Sequence, residues 1–152
     1  MKTIVIVLVV ISSVGCSKLK THVGPDYQGK TTFVDKLGMC GAGASAATPA
    51  FQQAGYLVID LGQTTENPIR TARAQRIPFV AIVEATGTDG AWWDGKFDFS
   101  MRISESTNGS IVWSATGEYS AGPVIDQTGS TSRAMRDMAE DFKKSFPPSP
   151  RQ

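Results

Sequence analysis

Few side chains in this 152-residue chain could do chemistry: two cysteines, Cys16 and Cys40, one histidine, His22, and 14 acidic residues. A cysteine nucleophile needs a base within hydrogen-bond reach, normally histidine, and a zinc site needs three or four converging ligands. His22 lies in a polar stretch near the N-terminus with no second His or Cys cluster beside it, so it reads as a solvated residue. No metal and no cofactor is expected. The many serines lack both a Gly-x-Ser-x-Gly elbow and a positioned histidine. Asp94, Asp98 and Glu118 could in principle supply a glycosidase pair, but nothing in their spacing singles out two of them. Gly38-Met39-Cys40-Gly41-Ala42-Gly43 invites a phosphate-loop reading, yet it lacks the Gly-Lys-Ser/Thr ending and the third glycine of a dinucleotide fingerprint. A tight turn of small residues is expected there, and no enzyme activity overall.

Two residues stand out for binding. Trp92 and Trp93 sit in Gly87-Thr88-Asp89-Gly90-Ala91-Trp92-Trp93-Asp94-Gly95, a glycine-rich connection where polar residues are the rule. Tryptophan is enriched at binding hot spots because it buries a large area while its N–H finds a partner. Either the pair forms a contact surface for a protein or a membrane interface, or one ring tucks onto the sheet and the other caps a core edge.

The N-terminus carries the most specific signal. Lys2 precedes the apolar run Ile4–Ile11, which is followed by Ser12-Ser13-Val14-Gly15: a charged end, a short apolar stretch and small residues, the plan of a secretory signal. The run is about half the 20 residues a spanning helix needs. A buried first strand is the competing reading of so apolar a segment; its place behind a lysine at the extreme N-terminus favours export. Ser13-Val14-Gly15-Cys16 resembles a bacterial lipobox, departing from it at Ser13, where leucine is preferred. The resemblance implies a diacylglyceryl thioether on Cys16 and cleavage before it, with a plain signal-peptidase site as the alternative. Because a single acyl chain holds a protein only marginally, the two or three chains of a lipoprotein are what would anchor it. Ser17 stands where inner-membrane retention usually has Asp, which favours the outer membrane, facing the periplasm.

Removing residues 1–15 leaves 137 residues with 14 basic and 14 acidic side chains. A single domain of this size can bury roughly two-thirds of its unfolded surface. Its neutral charge argues against nucleic acid, which needs a basic stripe. With Cys16 lipidated, Cys40 has no partner within the chain; burial is the common fate of such a thiol, an intermolecular disulfide or a reactive thiol being the alternatives. A Cys16–Cys40 disulfide is the rival that the lipobox likeness speaks against.

The elements that must position these residues follow from the apolar pattern. Residues 16–30, polar and interrupted by Gly24-Pro25, read as the lipidated N-terminus and a tether. Residues 31–146 read as an α/β domain, a mixed sheet of about five strands packed with about three helices. A first strand is expected over Thr31–Leu37. A helix should open at Thr48-Pro49 and close at Gly55, and a second strand should span Tyr56–Ile59. Asn67-Pro68 should cap a helix through Gln75, with Ile69 and Ala72 inward. Phe79–Val83 has the continuous apolar character of a strand buried on both faces. Phe97, Phe99, Met101 and Ile103 alternate with Asp98, Ser100 and Arg102; Ile111, Trp113 and Ala115 answer them across Asn108-Gly109, a hairpin signal. A last helix runs from a cap at Ser130–Ser132 to about Ser145, with the stripe Met135, Met138, Ala139, Phe142 and Phe146 and an exposed Glu140–Lys144 pair. Residues 147–152 read as a Pro-rich extended tail.

This element order resembles the periplasmic domain shared by the TolB amino-terminal domain, the curli-secretion lipoprotein and the lipoprotein activators of penicillin-binding proteins. The likeness rests on Ala54–Asp60, on Ala72–Val83 and on the hairpin Phe99–Ile103 with Gly109–Ser114. No amphipathic insert long enough for a barrel hairpin is present, so a secretion pore is not expected. The resemblance implies a lipid-anchored accessory protein that binds an envelope partner in secretion, transport or cell-wall assembly, with self-association as a further expectation. A ligand-binding lipoprotein, capturing a small molecule or glycan through Trp92 and Trp93, is the alternative.

Overall fold

The computed structural model describes residues 18–63, 65–87, 96–120 and 127–150. It is an α/β fold: one six-stranded mixed sheet with three α-helices. In chain order the elements are β1 (Lys18–Val23), a 3-10 turn (Pro25–Tyr27), β2 (Lys36–Cys40), α1 (Ala44–Gln53), β3 (Leu57–Asp60), α2 (Pro68–Ala74), β4 (Phe79–Gly87), β5 (Lys96–Glu105), β6 (Ile111–Ser120) and α3 (Gln127–Ser145). Across the sheet the order is β1-β6-β5-β4-β2-β3.

That order decides which parts of the sheet are covered. β2, β3 and β4 are parallel, so each connection between them must cross over, and crossovers are right-handed. The chain steps outward from β2 to β3 through α1, then back past β2 to β4 through α2. A reversal of direction with the same handedness puts the two helices on opposite faces. Beyond β4 the strands are antiparallel and add no crossover helix. One face is therefore roofed by α1 and α3 over a core containing Phe51, Tyr56, Trp113, Met135, Met138, Phe142 and Phe146. Among the described residues, the other is roofed at one end, where Ala72 of α2 packs with Cys40, Leu61, Ile77 and Val80.

Phe142 is the hub of the larger core. Its ring stacks on Phe146 at 4.8 Å and 10° and meets Trp113 edge-on at 5.4 Å. Tyr56 and Phe51 lie 5.6 and 6.0 Å away. The Tyr56 hydroxyl donates to the Phe146 carbonyl at 2.6 Å, and burial pushes that phenol well above its ordinary range.

Several expected elements hold. Asn67 caps α2, its side chain accepting from Arg70 N–H at 3.0 Å, with Pro68 at the first turn. Gly55, at φ +106°, closes α1: its N–H bonds to Gln52 and that of Tyr56 to Phe51, the paired bonds of a Schellman ending. The β5–β6 hairpin pairs Ile103 with Trp113 and Met101 with Ala115.

Others shift. The residues expected to form a tether include β1, which pairs with β6 over six positions. Leu19 and Val23 pack against the core while Lys20 and His22 point to solvent, and so sparse an alternation is easily read as linker. The strand expected over 31–37 is β2 at Lys36–Cys40. Gly38 sits at its centre because a β-carbon there would press on Leu61, and the strand is buried from Leu37 to Cys40. α1 starts at Ala44, so Pro49 lies inside the helix rather than at its start. The only intrahelical bond Pro49 forfeits is to Ser45, on the exposed side, while Thr48 bonds back to the Ala44 carbonyl at 2.8 Å. Lys144 pairs with Asp141 at 3.1 Å instead of with Glu140. The C-terminal segment is latched: Val34 N–H bonds to Pro147 and Ser149 N–H to Val34, at 2.9 and 2.8 Å.

The hairpin end is clamped by Glu105. Its carboxylate accepts from the Tyr27 hydroxyl at 2.8 Å, from Thr107 at 2.8 Å and from Asn108 at 3.1 Å. These bonds, Tyr27 first, hold the carboxyl below the usual carboxylate range. Tyr27 in turn is pushed up to about 12, first by burial and then by its bond to Glu105. A carboxyl lowered by folding stabilises the native state above its unfolded pKa, and that contribution is lost as pH falls through the folded value. Glu105→Gln is expected to cost about 1 kcal/mol at pH 7 and to flatten the acid limb of a stability–pH profile. An unchanged acid limb in urea melts between pH 3 and 7 would remove the clamp from the account.

Candidate functional site

Where α2 stops, no described helix covers the second face of the sheet across β4, β5, β6 and β1. Period-two alternation sends Asp98, Ser100 and Arg102 of β5 to this side, opposite Phe99, Met101 and Ile103 in the core. Strand register then lines the side chains up in rows. One row runs Lys20, Thr116, Ser100, Glu84; the next runs His22, Ser114, Arg102, Ile82 and Cys40. Glu118 and Asp98 face each other at the end of the sheet where β1 begins.

The first row and the Asp98–Glu118 pair line a cavity of about 430 Å³, bordered by Lys20, Glu84, Asp98, Ser100, Thr116 and Glu118. Glu84 is tied to its neighbours, accepting from the Ser100 hydroxyl at 3.3 Å and lying 3.8 Å from the Arg102 guanidinium. Carboxylates, hydroxyls and one ammonium make a hydrogen-bonding surface suited to a polar partner. No group of three or more metal-binding side chains is assembled among the described residues.

Cys40 is buried, 3% exposed, and its thiol points at the Ala81 carbonyl 3.6 Å away. Burial, then the charge of Asp60, pushes it upward, so the nucleophilic thiolate is disfavoured. It shares a row with His22 but stands four strands away, about 19 Å at the usual strand spacing. The structure does not bring the two together. The glycine loop after β2 is likewise committed: Gly43 N–H bonds to the Val83 carbonyl at 3.0 Å, and β-carbons at Gly41 and Gly43 would run into Val83. It is a close-packed turn.

Cys16, Trp92, Trp93 and Asp94 lie outside the described residues. Gly87 and Lys96, which flank the tryptophan connection, both sit at the sheet end where β1 starts. Sequence reading missed Lys20, Glu84, Ser100 and Thr116 as one surface. The alternation in β5 exposes Ser100, but which stretch of a face a helix leaves bare depends on the crossovers, which have no local signature.

No protein-family model and no curated protein matches this chain. Solved structures do resemble it. The PelC dodecamer from Paraburkholderia phytofirmans superposes with a TM-score of 0.63 at 15% identity, over 80% of this chain and 94% of that chain. A point variant of the same PelC, also a dodecamer, gives 0.63 and 15% over 84% and 96%. The lipoprotein GNA1162 from Neisseria meningitidis is a weaker likeness, at 0.45 and 15% over 76% and 99%. At such identity the PelC likeness establishes a shared fold.

Proposed function

We propose that this chain is a bacterial lipoprotein, anchored by lipid on Cys16 to the outer membrane and facing the periplasm, where it serves as a non-enzymatic accessory to an envelope complex. The observation that carries this reading is the junction between signal and fold. Ser13–Cys16 resembles a lipobox at the end of a secretory signal, and strand β1 of the fold includes Lys18, two residues beyond the cysteine. The element order keeps the TolB, curli-secretion and penicillin-binding-protein-activator resemblance within this reading. Self-association belongs to it as well, supported by the dodecameric PelC neighbours. The two outer strands, β1 and β3, differ in sequence and direction. A contact between one and the other would be heterologous, the kind that closes rings.

Trp92 and Trp93 are proposed as the contact surface for the envelope partner. The test is a crosslinked pull-down of tagged, lipidated protein from envelopes, beside a Trp92→Ala/Trp93→Ala variant. A partner captured by the wild type and lost from the variant is the expected result. Equal capture by both returns the tryptophans to a packing role, and no specific partner at all would sink the accessory reading. The polar cavity favours one second reading, capture of a small polar molecule or glycan, which a ligand-dependent change in tryptophan fluorescence would reveal.

A further inference from the structure

The geometry points to a fixed posture on the membrane: the domain stands end-on, with the sheet end formed by Lys18, Glu118, Asp98 and Gly87 against the lipid headgroups and the β5–β6 turn directed away from them. This rests on the lipoprotein reading above. Two peptide units separate the Cys16 and Lys18 Cα atoms, and each spans at most about 3.6 Å, so the acylated residue lies within about 7 Å of the sheet. A flexible tether would let the domain hang at any angle. Here Lys18 is already paired with Glu118, and β1 stays in register with β6 through Val23.

The covalent limit therefore acts on the sheet itself. β6 passes from Glu118 to Ile111 away from that end, about 24 Å at the rise of an extended strand. β5 runs beside it from Lys96 to Glu105. The Glu105 clamp and the 3-10 turn thus occupy the periplasmic end. The cavity lies at the other, with Asp98 and Glu118 on its membrane side. A molecule entering it would come from the headgroup layer or from just above it.

Depth-dependent quenching tests this on the full acylated chain, reconstituted in phosphatidylethanolamine/phosphatidylglycerol vesicles that carry a headgroup quencher. Glu118→Cys and Ile111→Cys place a thiol-reactive fluorophore on exposed positions of one strand, and buried Cys40 takes no label while the protein is folded. Most of the emission should be lost at 118 and none at 111. Ten Gly/Ser residues inserted between Ser17 and Lys18 should restore the emission at 118, since such a linker spans about 17 Å. Equal quenching at both positions, or none at either, with acyl chains confirmed on Cys16 by mass spectrometry, overturns the posture while leaving the lipoprotein reading intact. A mass showing no lipid on Cys16 removes both.

Discussion

Phe142→Ala is expected to lower the unfolding free energy by about 3–5 kcal/mol, the range for truncating a fully buried aromatic residue. Four rings lean on this one: Phe146 in a stack, Trp113 edge-on, and Phe51 and Tyr56 at tilts. The void left by the ring would be bounded by stiff aromatic planes that cannot collapse into it, so the cost should fall at the upper end. It would also loosen α3 against β6, through the Trp113 contact. A domain of this size has about 5–15 kcal/mol in total, and the melting temperature should drop on the order of 10–20 °C. Phe142→Leu keeps most of the volume and should cost less than half as much. Urea unfolding followed by far-ultraviolet circular dichroism reads both. A loss below about 1 kcal/mol for the alanine variant would mean that the aromatic cluster does not organise the core.

Gly41→Ala should be nearly as damaging, for a backbone reason. Gly41 adopts φ +99°, a conformation side chains rarely tolerate, and the added β-carbon would overlap the Val83 carbonyl oxygen and crowd the Val83 nitrogen. Neither atom can turn aside as a side chain could, because Val83 is held in β4 by its pairing with β5. The loop must lift, the Gly43–Val83 bond must stretch, and α1 must shift with it. A loss of about 3 kcal/mol or more is expected. Gly29→Ala is the matched control: φ is +69° with open space around the new carbon, so only the backbone penalty of about 1–2 kcal/mol should appear. Equal losses for the two variants would show that conformation alone, without the close approach to β4, sets the requirement for glycine at 41.

The contrast between these two sites shows what could be read from sequence. The stripe Met135–Phe146 repeats at helical spacing with large residues, so α3 was legible, and so was the hairpin, whose Asn108-Gly109 turn separates two alternating runs. Both are strong signals because each apolar position carries large area. The segment from Lys36 to Ala50 carries little area per residue. Its glycines and alanines fit a buried strand, a turn and a helix equally well, and only the close packing of Gly38 and Gly41 against neighbours distant in sequence decides among them. Pro49 misleads for a related reason: proline marks a helix start only on average, and here the carbonyl it leaves unbonded belongs to exposed Ser45. β1 was hidden because only Leu19 and Val23 face the core. Of the candidate surface, Ser100 and Arg102 were legible as outward residues. Their alignment with Lys20 and Glu84 follows from register alone.

Strand β1, early in the chain, has its partner far downstream. β1 waits for β6, with Lys18 and Glu118 a hundred residues apart, and the segment around Val34 waits for Pro147 and Ser149 at the far end. Closing such long loops costs entropy before any contact compensates it, and chains rich in distant pairings fold slowly. Until residues 111–120 and 147–149 have been made, the sheet has neither its β1–β6 edge nor its latch. Order of synthesis thus keeps the chain unfinished and open, which suits the export proposed above, where a polypeptide is threaded through a membrane before it folds on the other side.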